Sequence, residues 1–222
     1  MTQLAEYIDH TLLKPEATHE QIEKLVEESI TYRFKSVCIH PYWVPYCSTL
    51  LRGKTPKVCT VIGFPLGASS SRVKAFETKQ AIVDGATEID MVMNIGELKA
   101  GREEFVKNDI DMVVEAAKGK AIVKVIIETA LLTDDEKIKA CHIVESSGAD
   151  FIKTSTGFAG GGATVKDVKL LANTIEGSLK IKASGGIRNR AIAEEMIAAG
   201  ADRLGASSGV QILENETGDT SY

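Results

Sequence analysis

Three charged residues in separate apolar stretches of the sequence have the types and setting needed for amine chemistry. Lys153 follows Phe151 and Ile152, so its ammonium group would be poorly solvated. Asp90 lies in EIDMVMN, and Lys182 lies in KIKAS. A lysine becomes a nucleophile when burial or a second cation destabilises its protonated form, and it then condenses with an aldehyde or ketone. Because a carboxylate such as Asp90 can move the α-proton, directly or through water, the set predicts Schiff-base chemistry without a metal.

A structural interpretation of the same three residues stays open at this point. Asp90 could form a buried ion pair with one lysine, a common way to satisfy charges inside a protein. Lys153 could also lie at a strand end with its ammonium group in water. Two lysines would then need further carboxylates to balance them, and Glu128 and Asp9 are the candidates.

These residues fall in a regular alternation of β-rich and amphipathic helical segments. Eight strands are predicted, at Tyr7–Thr11, Lys35–Ile39, Lys57–Ile62, Glu88–Asn94, Ala121–Glu128, Asp150–Thr154, Leu179–Ser184 and Arg203–Ser207. The predicted helices are His19–Tyr32, a weaker Tyr42–Leu51, Arg72–Asp84, Glu103–Lys118, Asp134–Ser147, Val165–Glu176, Ala191–Ala199 and a short Val210–Glu214. Repeated βα units imply a parallel sheet with right-handed crossovers.

Eight such units in a chain of this length predict the α/β class, as a single (β/α)8 TIM barrel rather than an open sheet. No composition break suggests a second domain, so the barrel should span residues 1–214. The polar residues 215–222 should form a mobile C-terminal tail. Tyr222 at its end either stays disordered or reaches the active site as a proton relay.

Alternation along the predicted strands places their charged residues on one side. The apolar residues of these strands have the opposite parity to a charged set that comprises Asp9, Glu88, Asp90, Lys124, Glu128, Lys153 and Lys182. Since successive side chains point to opposite faces, the apolar set should face the helices and the charged set the barrel interior. Active sites of such barrels lie at the C-terminal strand ends. Asp90, Lys153 and Lys182 should therefore converge there, and two lysines on adjacent strands should leave one as a free amine.

Glycine- and serine-rich segments follow the seventh and eighth strands, at Ala183–Arg188 (ASGGIR) and Gly205–Gly209 (GASSG). Exposed backbone N–H groups and hydroxyl donors in these positions predict a phosphate site, although tight turns alone could also require the glycines. The segment TGFAGGGA follows Lys153. It either closes over a substrate, with Thr156 and Gly157 near the phosphate, or forms a flexible connection.

Composition excludes several other classes of function. A net charge of −5 over 222 residues argues against a general nucleic-acid binder. The four cysteines, Cys38, Cys47, Cys59 and Cys141, lack zinc-site spacing, and the histidines form no ligand cluster, so no metal is expected. There is no signal-peptide pattern and no run of about 18 apolar residues. We expect a cytoplasmic protein with reduced thiols and no membrane partner.

In order along nearly the whole chain, eight motifs resemble the deoxyribose-phosphate aldolase family of type-I aldolases. They are IDHTLLKPEAT (Ile8–Thr18), VCIHP (Val37–Pro41), VIGFPLG (Val61–Gly67), EIDMVMNIG (Glu88–Gly96), KVIIET (Lys124–Thr129), FIKTSTGF (Phe151–Phe158), KASGGIR (Lys182–Arg188) and GASSG (Gly205–Gly209). The resemblance implies reversible cleavage of 2-deoxy-D-ribose 5-phosphate to D-glyceraldehyde 3-phosphate and acetaldehyde. It also implies that no cofactor is needed and that the protein is a homodimer or homotetramer.

The resemblance further implies roles for individual residues. Lys153 would form the Schiff base, Lys182 would perturb it and assist proton transfer, and Asp90 would transfer a proton through water. Phosphate binding would fall on Gly157, Gly185, Gly186, Gly205, Ser207 and Ser208, with charge added by Arg188.

Four further residues are possible supports of the site. Asp9, Thr11 and Lys124 point inward by parity and would complete the polar network or serve a structural pairing. Cys38 shares parity with Ser36 and His40, so it faces the barrel mouth or is a buried inert thiol.

Two other hypotheses remain beside this one. The chain could be another phosphosugar barrel enzyme, such as a ketone-donor type-I aldolase or an isomerase, and activity with acetaldehyde as sole donor would separate these. It could also be a silent phosphosugar-binding protein. That class would be expected to lack a lysine or carboxylate of the triad, and Lys153, Lys182 and Asp90 are all present.

Overall fold

Eight parallel strands close into a barrel in the computed structural model, which describes residues 2–218. Each strand pairs with the next, and β8 pairs with β1 through Asp9 and Gly205. The strands are β1 Ile8–Leu12, β2 Ser36–Ile39, β3 Lys57–Ile62, β4 Glu88–Val92, β5 Ile122–Ile126, β6 Phe151–Lys153, β7 Lys180–Ser184 and β8 Arg203–Ala206. The predicted TIM barrel is therefore confirmed, with strands that match the prediction or differ from it by one or two residues at their ends.

Helices follow the strands on the outside of the barrel. They are α1 Thr2–Ala5, α2 His19–Tyr32, α3 Val44–Leu50, α4 Ser71–Val83, α5 Ile95–Lys99, α6 Glu103–Ala117, α7 Asp134–Ser146, α8 Val165–Thr174, α9 Arg190–Ala198 and α10 Gly209–Glu214. The sequence did not predict α1, α5 or the 3-10 turns Pro41–Trp43 and Thr129–Leu131, because segments of three to five residues have no readable periodicity. The first of these turns also delays the start of α3.

Local sequence signals fix where the longer helices begin. Thr18 caps α2 and Thr133 caps α7, and each threonine hydroxyl accepts a hydrogen bond from the backbone N–H three residues later. In return, the side chains of Gln21 and Glu136 accept a hydrogen bond from the backbone N–H of the capping threonine. These capping boxes satisfy backbone donors that the first helical turn leaves free. The apolar face that follows in α2 is buried against the barrel, as the amphipathic pattern predicted.

Two separate layers of side chains fill the interior. The larger layer lies between strands and helices and contains the apolar parity set, including Ile89, Met91, Val125, Ile152 and Ile181. A small apolar cluster comprises Leu13, Cys38, Cys59 and Val61, with Phe64 packed against it. The parity prediction thus holds for the apolar residues of the larger layer, and the barrel interior holds the charged residues together with this small cluster.

The last described residues return to the barrel. Asn215 ends α10 in a left-handed conformation, and the Gly218 N–H donates to the Arg188 carbonyl at 2.8 Å. Positions 219–222 lie outside the described residues, so the two expectations for Tyr222 and the boundary at 214 stay predictions. No helix within residues 2–218 is both long and apolar enough to cross a membrane.

Candidate active site

Asp90 on β4 is the centre of a buried charged cluster. Its Oδ2 accepts from Lys153 Nζ at 2.8 Å and from Lys182 Nζ at 2.7 Å, and its Oδ1 accepts from Lys124 Nζ at 2.7 Å. The register explains the convergence, because Asp90 lies beside Lys124 on β5 and Lys153 lies beside Lys182 across β6 and β7. The structure therefore brings together the three residues for which the sequence predicted the chemistry.

Asp9 and Glu88 extend this cluster toward the start of the strands. Asp9 contacts Lys182 at 2.5 Å and Arg203 at 2.6 Å, while Glu88 contacts Lys124 at 2.7 Å and Arg203 at 3.0 Å. We call the connected set the inner network, and it comprises three carboxylates and four cations: Asp9, Glu88, Asp90, Lys124, Lys153, Lys182 and Arg203. With every group charged it carries one positive charge in excess, so loss of one proton would neutralise it.

The electrostatics of the inner network keep most of its members charged. Burial opposes the charge on Asp90, but Lys124, Lys153 and Lys182 outweigh it and hold the Asp90 pKa well below its usual range. Burial likewise opposes the charge on Lys182, yet Asp9 and Asp90 raise the Lys182 pKa above its ordinary value. Lys124 follows the same pattern, with its pKa raised chiefly by Asp90 against the effect of burial. Lys124 and Lys182 therefore remain ammonium groups at neutral pH.

Lys153 differs from the other two lysines in its access to solvent. Its side chain is 4% exposed, whereas those of Lys124 and Lys182 are completely buried. Lys153 also lies at the C-terminal end of β6, where the barrel opens. Of the three amines on Asp90, Lys153 is thus the one positioned to meet a carbonyl compound that enters the mouth.

The segment after Lys153 is held by Glu128 from the neighbouring β5 loop. The Thr156 hydroxyl donates to the Glu128 carboxylate, and the Thr156 N–H approaches the same carboxylate at 3.2 Å. The Thr156 Oγ1 in turn accepts from the Phe158 N–H at 3.0 Å, and the Phe158 ring meets Phe64 edge to face at 5.3 Å. The Thr156 hydroxyl and N–H therefore form hydrogen bonds within the loop. The expected contact of Thr156 with a phosphate stays a prediction. Gly157 follows it with a φ of 91°, in the left-handed region.

Glycines at the ends of β7 and β8 serve two different purposes. Gly185 and Gly186 both have positive φ, of 85° and 78°, so the turn after β7 requires them. Gly186 is exposed, and a Cβ there would meet open space. At Gly205 a Cβ would lie 3.1 Å from Lys182 Cε and 2.9 Å from Ser184 Cβ. Gly205 therefore makes room for the Lys182 side chain.

The predicted phosphate-binding residues lie on adjacent connections, because β7 and β8 pair along their length. Ser207 is half-buried, Ser208 is buried just before α10, and Arg188 is exposed after the β7 turn. Together with the glycines of the β7 turn, they lie at the same end of the barrel as Lys153. Their role in binding a phosphate remains a prediction.

The four predicted supporting residues all lie inside the barrel. Asp9 and Lys124 belong to the inner network, and the Thr11 hydroxyl donates to the Asp9 carbonyl at 2.8 Å. Cys38 is fully buried and lies opposite Cys59 on the neighbouring strand. These positions agree with the parity interpretation, while the roles of the four residues stay predictions.

Sequence reasoning did not assign a role to Glu88, Arg203 or Cys59. Parity already grouped Glu88 with Asp90, and the same rule would have placed Arg203 inside, because it lies two residues before Gly205 on β8. Its place as the first residue of the strand points the other way, because a charged residue there usually reaches solvent. The contacts of Cys59 depend on barrel closure, so the sequence carries no local signal for them.

Comparison with known proteins identifies the family. The sequence profile of the DeoC/LacD family aldolases matches residues 4–215. Deoxyribose-phosphate aldolase 1 from Oceanobacillus iheyensis is 58% identical over 219 residues, which cover 99% of each chain. The crystal structure of a putative deoxyribose-phosphate aldolase from Coccidioides immitis superposes with a TM-score of 0.93 at 44% identity, over 96% of this chain and 85% of that one. The tetrameric deoxyribose phosphate aldolase from Aeropyrum pernix gives a TM-score of 0.90 at 37% identity, over 96% and 90%. This chain belongs to the DeoC/LacD family of aldolases.

Proposed function

We propose that the chain is a deoxyribose-phosphate aldolase, a lyase that reversibly cleaves 2-deoxy-D-ribose 5-phosphate to D-glyceraldehyde 3-phosphate and acetaldehyde. The observation that carries this proposal is the sharing of Asp90 Oδ2 by Lys153 and Lys182 within a network that has one excess positive charge. Such a site favours loss of one proton from an amine. Lys153 is the amine with access to the mouth, so we assign the Schiff base to it.

In the cleavage direction, the neutral Lys153 amine adds to the C1 aldehyde of the open-chain sugar, and loss of water gives an iminium. The C3 hydroxyl then loses its proton, and the C2–C3 bond breaks with its electron pair flowing into the iminium. D-glyceraldehyde 3-phosphate leaves, and an enamine remains on Lys153. Protonation of the enamine at C2 and hydrolysis release acetaldehyde and the free amine.

Lys182 and Asp90 have separate roles in the proton transfers of this reaction. Lys182 stays protonated, so it disfavours a second charge on Lys153 and supplies a proton donor beside the reacting carbon. Asp90 has a pKa well below its usual range and is a weak base toward carbon, which suits proton transfer through a water molecule. Each deprotonation of Lys153 also removes one of the cations that lower the Asp90 pKa.

We assign the substrate phosphate to the connections after β7 and β8, including Gly185, Gly186, Ser207 and Ser208, with Arg188 adding charge. Ser207→Asp tests this, because a carboxylate there would repel the phosphate. KM for 2-deoxyribose 5-phosphate should rise strongly while turnover of unphosphorylated 2-deoxyribose stays unchanged. An equal loss with both substrates would contradict the assignment.

The proposed reaction is tested by incubating the protein with 2-deoxy-D-ribose 5-phosphate and measuring acetaldehyde and triose phosphate separately. Both should appear in equal amounts, and acetaldehyde should serve as sole donor in the reverse direction. The matched control offers dihydroxyacetone phosphate with the same acceptor. A preference for that ketone donor would favour another type-I aldolase, and binding without turnover would favour a silent phosphosugar-binding protein.

We also propose that the protein forms a homodimer or homotetramer. Five large apolar residues expose more than half of their surface, namely Tyr42, Leu66, Val73, Phe76 and Val83. Leu66, Val73 and Phe76 line one surface cavity at α4, and an exposed apolar patch of this kind marks an interaction surface. Light scattering should give a multiple of the chain mass, and Phe76→Glu should reduce it to the monomer mass. A monomer before substitution would contradict the proposal.

We place the activity in the cytoplasm. All four cysteines are free, which fits a reducing compartment. Fractionation of the source cells should recover the aldolase activity with other cytoplasmic enzymes, and recovery outside the cytoplasm would contradict this placement.

A further inference from the structure

Two cysteines lie directly opposite each other inside the barrel. Cys38 on β2 pairs with Cys59 on β3 in the strand register, and both side chains point inward and are completely buried. Adjacent strands lie about 4.8 Å apart, within the Cα separation that a disulfide needs. Both Sγ atoms and one Asp90 oxygen lie within 4.8 Å of one another. The pair is therefore close enough for a bond between the two sulfurs.

This dithiol touches the reacting groups. The Cys59 S–H donates to Asp90 Oδ1 at 3.1 Å, and Lys124 Nζ approaches Cys59 Sγ at 3.3 Å. The other Asp90 oxygen holds Lys153 at 2.8 Å. Any small molecule that reaches the Lys153 amine is thus separated from the two thiols by a single carboxylate.

We propose that Cys38 and Cys59 form a modification site, at which a small hydroperoxide entering by the substrate mouth converts the two thiols into an intramolecular disulfide. The site goes beyond the aldolase reaction, which uses neither sulfur. Its ligand class is a peroxide small enough to follow the path of a two-carbon aldehyde.

The surroundings of Cys38 and Cys59 shift the pKa values of the two thiols in opposite directions, so the two thiols have different roles in disulfide formation. The adjacent Cys59 thiol lowers the Cys38 pKa against the effect of burial, and Lys182 lowers it further. Burial raises the Cys59 pKa well above its ordinary value, and Cys38 and Asp90 add to the rise. Cys38 is therefore the thiolate that attacks first, and Cys59 is the thiol that resolves the product.

Oxidation of the two thiols to a disulfide consumes one peroxide molecule. The Cys38 thiolate attacks one peroxide oxygen and the O–O bond breaks. The other oxygen takes up the proton that Cys38 had released and leaves as an alcohol, or as water from hydrogen peroxide. Cys38 is now a sulfenic acid. The Cys59 sulfur displaces hydroxide from it, forming the S–S bond and breaking the S–O bond, and the Cys59 proton leaves with the hydroxide as water. The two thiols lose two electrons, which reduce the peroxide.

The same three groups are less suited to binding a metal ion than to disulfide formation. The two thiols and Asp90 are close enough to ligate one ion. However, Asp90 already accepts from Lys124, Lys153 and Lys182, and those ammonium groups repel a further cation while favouring a thiolate.

Disulfide formation should impair the reaction at Asp90. Oxidised Cys59 has no proton, so Asp90 loses one hydrogen-bond donor and the balance of its contacts with the lysines changes. Loss of one hydrogen bond to a charged group corresponds to a decrease in kcat of about tenfold. Reduction by a dithiol should restore the original rate.

The test treats the purified enzyme with hydrogen peroxide, blocks the remaining thiols by alkylation under denaturing conditions, and maps the peptides by mass spectrometry. A Cys38–Cys59 disulfide should form, together with a decrease in kcat that dithiothreitol reverses. Cys47 and Cys141 are internal controls, because burial raises the pKa of each to about 12 and no lysine of the inner network faces them. Their peptides should remain reduced.

Cys59→Ala provides the matched variant, with every rate compared with that variant's own untreated rate. Without a resolving thiol, Cys38 should accumulate as sulfinic acid, and dithiothreitol should no longer restore activity. Absence of the disulfide in the unsubstituted enzyme, equal oxidation of Cys47 and Cys141, or an unchanged rate in the disulfide form would each overturn the proposal.

Discussion

Two of the places in which the protein buries lysine ammonium groups differ in how many partners each charge has. Between α4 and α6, Lys74 Nζ contacts Asp109 at 2.5 Å and the Val92 carbonyl at 2.8 Å. We call this the outer pair. In the inner network, by contrast, Lys153, Lys182 and Lys124 share Asp90, and further carboxylates contact two of these lysines.

The two places respond to burial in opposite ways. In the outer pair burial prevails, so the Lys74 pKa is lowered and the Asp109 pKa is raised, although each faces the other. In the inner network the neighbours prevail, so the Asp90 pKa is lowered and the Lys182 pKa is raised. Several partners therefore stabilise a buried charge that a single partner does not.

Replacing Lys153 should have the largest effect on activity. Lys153→Met removes the proposed nucleophile and also neutralises the inner network, so the fold should persist while kcat falls by at least about a thousandfold. Steady-state cleavage of 2-deoxyribose 5-phosphate, with circular dichroism as the folding control, measures both. Lys74→Met is the comparison variant and should retain kcat within a few-fold. Comparable losses in the two variants would remove the distinction between the two places.

Lys182→Met should give a smaller loss and a change in pH dependence. The substitution removes the cation that shares Asp90 Oδ2 with Lys153, so less repulsion opposes a charge on the Lys153 amine. The neutral amine is the reactive form, hence the rising limb of the pH–rate profile should move to higher pH by on the order of one unit. We expect kcat to decrease roughly a hundredfold. An unshifted profile with appreciable activity would contradict the role of Lys182.

The outer pair should affect stability and leave the chemistry intact. Lys74→Met leaves Asp109 buried without its partner, which should lower the free energy of unfolding by about 3 kcal/mol. Since burial prevails for both partners, Lys74→Met/Asp109→Leu should recover to within about 1 kcal/mol of the original protein. Urea denaturation measures both values. A double variant as unstable as the single one would mean that the ion pair itself is strongly stabilising.

The contrast also shows what the sequence could predict. Parity along the strands placed Asp90, Lys153 and Lys182 together, because a closed barrel converts alternation directly into an inner and an outer face. The Lys74–Asp109 pair could not be found that way, since its partners come from two different helices. The sequence also could not predict that Gly205 makes room for Lys182, because this depends on the distance between β7 and β8 and not on the sequence of either strand.

The most direct test of the central claim is to incubate the protein with acetaldehyde, reduce with borohydride and locate the adduct by peptide mass spectrometry. A single N-ethyl group on Lys153, absent from Lys153→Met and from the buried Lys74, is the predicted result. An adduct on Lys182, or a scatter of adducts over surface lysines with none at Lys153, would contradict the assignment of the Schiff base.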